Sequence, residues 1–232
     1  LGLKGVDVVT EKKSIKRAVY ESIYDNIIKG EYTANTIINE RELINKYQVS
    51  KSPIREALVE LCKEGILKSI PRYGYQVVQI TPKEICDIQE LRLVVELAAL
   101  GKSINYLDEE AFQKLEESVR QVKFLEHDVL KHWLHNMNFH LLLCSYCQND
   151  IMYQELQRIL KFCARGAAQY YFNSWNVPTR ADASLHMDLI RALRAKDLPQ
   201  ARKILSQDVS SLKNEVFFQG APENVKSLNV LP

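Results

Sequence analysis

Residues 40–58 read Glu40-Arg41-Glu42-Leu43-Ile44-Asn45-Lys46-Tyr47-Gln48-Val49-Ser50-Lys51-Ser52-Pro53-Ile54-Arg55-Glu56-Ala57-Leu58. The pattern is a helix, a tight turn and a second helix. Asn39 can cap the first helix, and Glu42 stands three residues later to complete a capping box. Leu43 and Tyr47, four apart, face one core. Gln48-Val49 breaks the run. Ser50 or Ser52 then caps the second helix, with Pro53 in its first turn, where a missing N–H costs little. Ile54, Ala57, Leu58 and Leu61 make one buried stripe. Lys51, Ser52 and Arg55 fall off that stripe, near the helix N-terminus. In a helix-turn-helix these are the positions that meet base edges. Lys51 and Arg55 can donate to guanine O6 and N7 or to phosphate, and Ser52 to either. Gly65 ends the helix as a left-handed cap.

The flanks extend this reading. Ile15, Val19, Ile23 and Ile27 recur at steps of four, an amphipathic helix capped by Ser14 and stopped near Gly30. Residues 66–70 and 75–80 are β-prone, and Pro71-Arg72-Tyr73-Gly74 between them signals a hairpin. Three helices and a hairpin make a winged helix. Arg72 at the hairpin tip suits a minor groove or a phosphate.

From about Ser14 to Val78 the chain resembles the DNA-binding domain of the GntR family of bacterial transcription regulators. The resemblance rests on Val49-Ser50-Lys51-Ser52-Pro53-Ile54-Arg55-Glu56-Ala57-Leu58, followed by Glu64-Gly65-Ile66-Leu67. It implies that Arg41, Ser50, Lys51, Ser52 and Arg55 contact DNA, with Arg72 and Gly74 at the wing. Two positions depart from the family pattern. Lys51 stands where arginine is usual, which weakens the case for a bidentate guanine contact. Gln48 stands where glycine is common, which predicts a left-handed or slightly strained residue. A helix-turn-helix used only for packing would leave the exposed basic face and the wing without a purpose.

Charge agrees with a sequence-specific binder. Residues 1–80 carry 13 Lys/Arg against 10 Asp/Glu, and the remainder 18 against 19, for a total of +2. A slightly basic head on a neutral body does not fit a non-specific DNA coat. Five cysteines are unevenly spaced in apolar surroundings, with no signal peptide and no membrane-length apolar run. The expectation is a cytoplasmic chain with reduced thiols and no membrane partner. It opens on Leu1 rather than Met, which suggests processing or trimming.

The fold class expected is mainly α: a winged helix-turn-helix over residues 1–80, an all-α bundle over 81–220, and a loose tail over 221–232. Thr81-Pro82-Lys83-Glu84 reads as a capping box with proline at the first helical position. Six helices follow, near 82–103, 108–126, 128–146, 149–172, 179–195 and 198–216, separated by ordinary turn chemistry. Asn136 and His140 lie at i and i+4 on one of them, with His186 and Asp208 on the last two. Helix packing can gather these four inside a bundle, where metal and ligand sites are built.

This part is similar to the effector domain of the FadR subfamily, the FCD domain, in its six-helix form. The matching pieces are Glu90-Leu91-Arg92 with Glu96-Leu97-Ala98-Ala99, then Asn136-Met137-Asn138-Phe139-His140, then His186 with Ile190-Arg191-Ala192-Leu193 and Asp197, then Ala201 with Asp208. The resemblance implies a divalent metal held by one Asp and three His, which helps to bind a small carboxylate effector. Here Asn136 replaces the usual aspartate, and Asp208 the usual third histidine. Two His and one carboxylate still make a workable site, with the Asn136 amide oxygen as a fourth ligand, for Zn, Ni, Mn or Fe. The alternative is a metal-free polar pocket that bonds the effector directly.

Arg92, Arg158 and Arg165 lie on helices that could line the cavity, and an arginine fork suits a carboxylate. Each also has a plainer reading as a salt-bridge partner. Cys144-Ser145-Tyr146-Cys147 has Cys-x-x-Cys spacing without a second pair, and reads as buried small side chains. His127, His132 and His135 read as surface, and Tyr170-Tyr171-Phe172 as packing or dimer interface. The expected function is therefore a homodimeric DNA-binding regulator, with repression the expected direction. A small carboxylate metabolite would control it, through a divalent metal. A metal-dependent small-molecule enzyme and a regulator answering to metal alone are the other readings. No nucleophile motif, phosphate loop or general base supports the enzyme.

Overall fold

Residues 14–122, 129–171 and 180–219 are described by the computed structural model, with side chains over 14–121, 134–170 and 184–210. The expected loop at 173–178, the tail after Gly220, His127 and Phe172 lie outside them, as do the side chains of His132 and Tyr171. The described chain divides into two units, one built mainly from residues 31–79 with the N-terminal helix, the other mainly from residue 80 onward.

In the first unit, α1 (Ile15–Ile28), α2 (Glu40–Tyr47) and α3 (Lys51–Lys63) enclose one core. Val19, Ile23 and Ile27 bury one stripe of α1 against Leu43 of α2 and Ile54, Ala57, Leu58 and Leu61 of α3. Ile15, expected on the same stripe, is exposed, because it starts the helix beyond the reach of this core. Asn39 caps α2, but its side chain accepts from the Arg41 N–H at 2.8 Å rather than from that of Glu42. Asn39→Ala is expected to lower stability by about 1 kcal/mol. A denaturant midpoint equal to that of the parent would show that this bond contributes nothing.

The turn between α2 and α3 runs through Gln48 in the left-handed region, φ 54 and ψ 40. Its N–H still reaches Ile44 O, and its side chain donates to Asn45 O, so local bonds offset the conformational cost. Ser50 is the N-cap of α3, in extended backbone and without a side-chain cap bond. Gly65, φ 65, closes α3. Its N–H reaches Cys62 O and that of Ile66 reaches Leu61 O, the paired bonds of a Schellman motif.

The hairpin is β2 (Leu67–Ile70) and β3 (Gly74–Val77), and a third strand, β1 (Ile37–Ile38), completes the antiparallel order β1-β3-β2. β1 was not expected. It explains Gly74, whose φ is 129 and whose added Cβ would lie 2.5 Å from Ile38 O. The glycine is there because β1 crosses over it.

The second unit holds α4 (Pro82–Ser103), α5 (Glu109–Val122), α6 (Val129–Ser145), α7 (Asp150–Tyr171), α8 (Arg180–Arg194) and α9 (Leu198–Gln219). Thr81 and Glu84 form the capping box, with Pro82 in the first turn. α4 packs against α6, α7 and α9, α5 against α6 and α8, and α8 against α9. Leu100, Leu115, Phe139, Leu189, Leu193 and Leu205 are among the residues of the largest core. Gln169 of α7 binds both backbone groups of Ile80, accepting from its N–H and donating to its C=O, so the entry to α4 is fastened to α7. Cys144, Cys147 and Cys163 are buried free thiols, as packing residues should be. None of the described helices is long and apolar enough to cross a membrane.

Candidate functional site

Two sites of different chemistry stand out, one in each unit. On the first, α3 turns Ile54, Ala57, Leu58 and Leu61 inward, which leaves Lys51, Ser52 and Arg55 exposed together. Arg41 on α2 is exposed as well. These donors differ in readiness. Lys51 Nζ lies 3.4 Å from Glu40, and Ser52 Oγ donates to Glu56 at 2.8 Å. The guanidinium groups of Arg41 and Arg55 have no ion pair or hydrogen bond among the described residues. At the hairpin, Arg72 is exposed with φ 70, beside Tyr73, which is 68% exposed. Tyr73 was not singled out in the sequence.

On the second unit, ionisable groups meet inside the bundle. Glu96 of α4, His140 of α6, His186 of α8 and Asp208 of α9 are each at most 5% exposed. His140 Nδ1 lies 2.6 Å from Glu96 Oε2, and Glu96 Oε1 accepts from Arg92 Nε at 2.6 Å. His186 Nε2 lies 3.1 Å from Asp208 Oδ2. His140 Nε2 lies 3.2 Å from the same oxygen, a charge contact without the angles of a hydrogen bond. Phe139 stacks on His186 at 3.9 Å between ring centroids and fixes that ring.

Electrostatics hold the cluster in balance. Burial would raise Glu96, but His140 and Arg92 outweigh it and bring its carboxyl down to about 2. Burial also holds Asp208 back from ionising, and His186 and His140 outweigh it, so its carboxyl lies well below the usual range. Burial would lower His140, but Glu96 and Asp208 together raise it to about 9. With no cation bound, Arg92 and protonated His140 therefore balance Glu96 and Asp208.

The predicted residues divide accordingly. His140, His186 and Asp208 come together, with one ligand atom from each lying within 4.8 Å of the others. Asn136 is part-buried, one turn before His140 on α6. Arg92 is buried and fastened to Glu96. Its Nη groups have no bond among the described residues. Arg165 is buried with its guanidinium 5.3 Å from the Phe162 ring centroid. Arg158 is a correction: its side chain is 76% exposed and pairs with Glu155, because it lies opposite the buried stripe of Leu156, Ile159, Leu160 and Cys163 on α7. Glu96, which joins this cluster, was not singled out in the sequence, although its spacing of four from Arg92 was there to be read.

The donor set fits a divalent cation. Two imidazole nitrogens and a carboxylate oxygen converge, and the His140 nitrogen facing them is a buried polar atom without a hydrogen bond.

Two family models match the chain. Residues 15–77 match the bacterial regulatory proteins of the gntR family, and residues 87–211 match the FCD domain. The HTH-type transcriptional regulator YdhC of Bacillus subtilis is 29% identical over 153 residues, covering 62% of this chain and 67% of that one. The HTH-type transcriptional repressor RspR of Escherichia coli is 20% identical over 204 residues, covering 87% and 89%. The structure of E. coli McbR/YncC superposes with a TM-score of 0.73 at 19% identity, over 86% of this chain and 95% of that one, a likeness of fold.

Proposed function

The chain belongs to the GntR family of bacterial regulatory proteins and carries an FCD domain, and we propose on that premise how it reads DNA and what controls it. It is a DNA-binding transcription regulator, not an enzyme. In our reading two copies form a dimer and lay their α3 helices in successive major grooves of a short palindrome. Arg55 and Arg41 have no ion pair or hydrogen bond among the described residues to break, while Lys51 and Ser52 must leave Glu40 and Glu56. Arg72 reaches a minor groove or a phosphate from the wing. The observation that carries this half is the exposed Lys51-Ser52-Arg55 face at the start of α3, set against a fully buried opposite stripe. Operator DNA lies in the bacterial cytoplasm, and we take that as the place of action.

The control reading rests on the buried cluster. His140, His186 and Asp208 would hold a divalent cation, with Asn136 one turn away as a further oxygen ligand. The cation would replace the proton of His140. Bound there, it would supply a positive charge that attracts a carboxylate oxygen. Arg92, anchored through Nε, keeps its Nη groups for the same carboxylate. A ligand bound there alters operator affinity only as far as it prefers one arrangement of the dimer.

The test is selection of bound sequences from random duplex DNA, followed by titration of the selected site with and without added Zn, Ni or Mn and a panel of small carboxylates. A palindromic site whose affinity shifts with a carboxylate supports the reading. Loss of binding on chelation, with no response to any organic acid, would favour a regulator that answers to metal alone.

A further inference from the structure

We propose that Glu96 is a positioning residue that sets which nitrogen of His140 faces the candidate metal site. This rests on the reading of His140, His186 and Asp208 as ligands. Both oxygens of Glu96 are used as acceptors. Oε1 takes the Nε–H of Arg92 and Oε2 the Nδ1–H of His140, each at 2.6 Å. An arginine only donates, so it cannot share a proton back. The carboxylate therefore holds the Nδ1 proton in place, so that when a cation displaces the other ring proton it is the Nε2 lone pair that faces His186 and Asp208. A carboxylate behind a ligating histidine fixes tautomer and ring direction in the same way at known metal sites. Arg92 in turn fixes Glu96, so the chain of contacts runs from α4 through α6 to the ligand atoms.

The arrangement makes a particular demand. Both neighbours of Glu96 are donors, so an amide in its place has one acceptor for two of them. The amide carbonyl goes to Arg92, and the NH2 group faces His140. Nδ1 must then accept, which moves the ring proton to Nε2 and blocks that atom as a ligand. Glu96→Gln is thus expected to weaken Zn2+ binding by about 10–100-fold at nearly unchanged volume. Arg92→Met combined with Glu96→Gln removes the competing donor. The carbonyl can then return to His140, and most of the lost affinity should be restored. The double variant also leaves no buried guanidinium unpaired, so it keeps the test open if Glu96→Gln alone fails to fold.

The experiment is titration of Zn2+ into the full chain against a chromophoric chelator, for the parent, Asp208→Ala, Glu96→Gln and the double variant. The hydrogen-bonded Nδ1–H resonance of His140 is recorded by NMR in the same proteins. Weakened binding in Glu96→Gln, rescue in the double variant and loss of that resonance in Glu96→Gln are expected. Equal Zn2+ affinity in parent and Glu96→Gln, or an unchanged Nδ1–H resonance, would overturn the role of Glu96. No Zn2+ binding by the parent would overturn the metal reading instead. The NMR signal would then decide alone whether Glu96 holds His140.

Discussion

Glu96→Ala is expected to cost about 3–5 kcal/mol of stability, the cost of breaking a buried ion pair from one side. Arg92 is 3% and Glu96 4% exposed, so water cannot replace the lost carboxylate. The substitution strands a guanidinium and removes the acceptor of His140 Nδ1 in one step. Domains hold only about 5–15 kcal/mol in total, so a large part of the stability of the helical unit is at stake. Thermal unfolding should shift down by about 10 °C for a unit of this size. Replacing Arg92 by Met in the same chain should recover part of the loss, because an apolar side chain needs no partner there. A loss below about 1 kcal/mol would mean that water reaches the cluster after the truncation.

Arg55→Ala is expected to weaken operator binding by about 1–3 kcal/mol, roughly 5–150-fold, and random DNA much less. The side chain is exposed on the outer face of α3 and has no ion pair or hydrogen bond among the described residues to give up. Lys51 and Ser52 first leave acidic partners, so part of their gain on DNA is spent in that exchange. Arg55 also keeps the planar fork that suits guanine, which Lys51 lacks. Anisotropy titrations on the selected operator and on random duplex, at one salt concentration, give the comparison. An equal loss on both would reduce Arg55 to a phosphate contact.

Much of the DNA-binding unit was legible because its signals are local. The stripe of Ile54, Ala57, Leu58 and Leu61 follows from helical spacing, and Gly65 from the left-handed cap that it closes. Gln48 in place of glycine predicted a left-handed or slightly strained residue, and it is left-handed. β1 was not legible, because two residues cannot show a period of two, and its pairing with β3 is a tertiary matter. The same holds for Gly74, read from the family as a wing contact and explained here by the backbone of Ile38.

In the helical unit the convergence of His140, His186 and Asp208 was legible through spacing and resemblance, but the burial of Glu96 beside them was not. A glutamate four residues after an arginine on a helix usually reads as a solvated pair. What buries this one is the packing of α4 against α6, α7 and α9. The buried stripe of α4 carries Gln89, Arg92 and Glu96 among Ile85, Ala99 and Leu100, which hides its amphipathic pattern. Arg158 went astray for the opposite reason. Its position off the apolar stripe of α7 was readable, and it faces solvent accordingly.

On the reading proposed above, His140, His186 and Asp208 hold a divalent cation. Metal content by elemental mass spectrometry tests it most directly, on protein purified without a nickel column and alongside His186→Ala and Asp208→Ala. Near-stoichiometric metal in the parent, lost in both variants, is the predicted result. A parent that carries no metal, even after incubation with Zn, Ni or Mn, would contradict the claim and make the pocket one that bonds its effector directly.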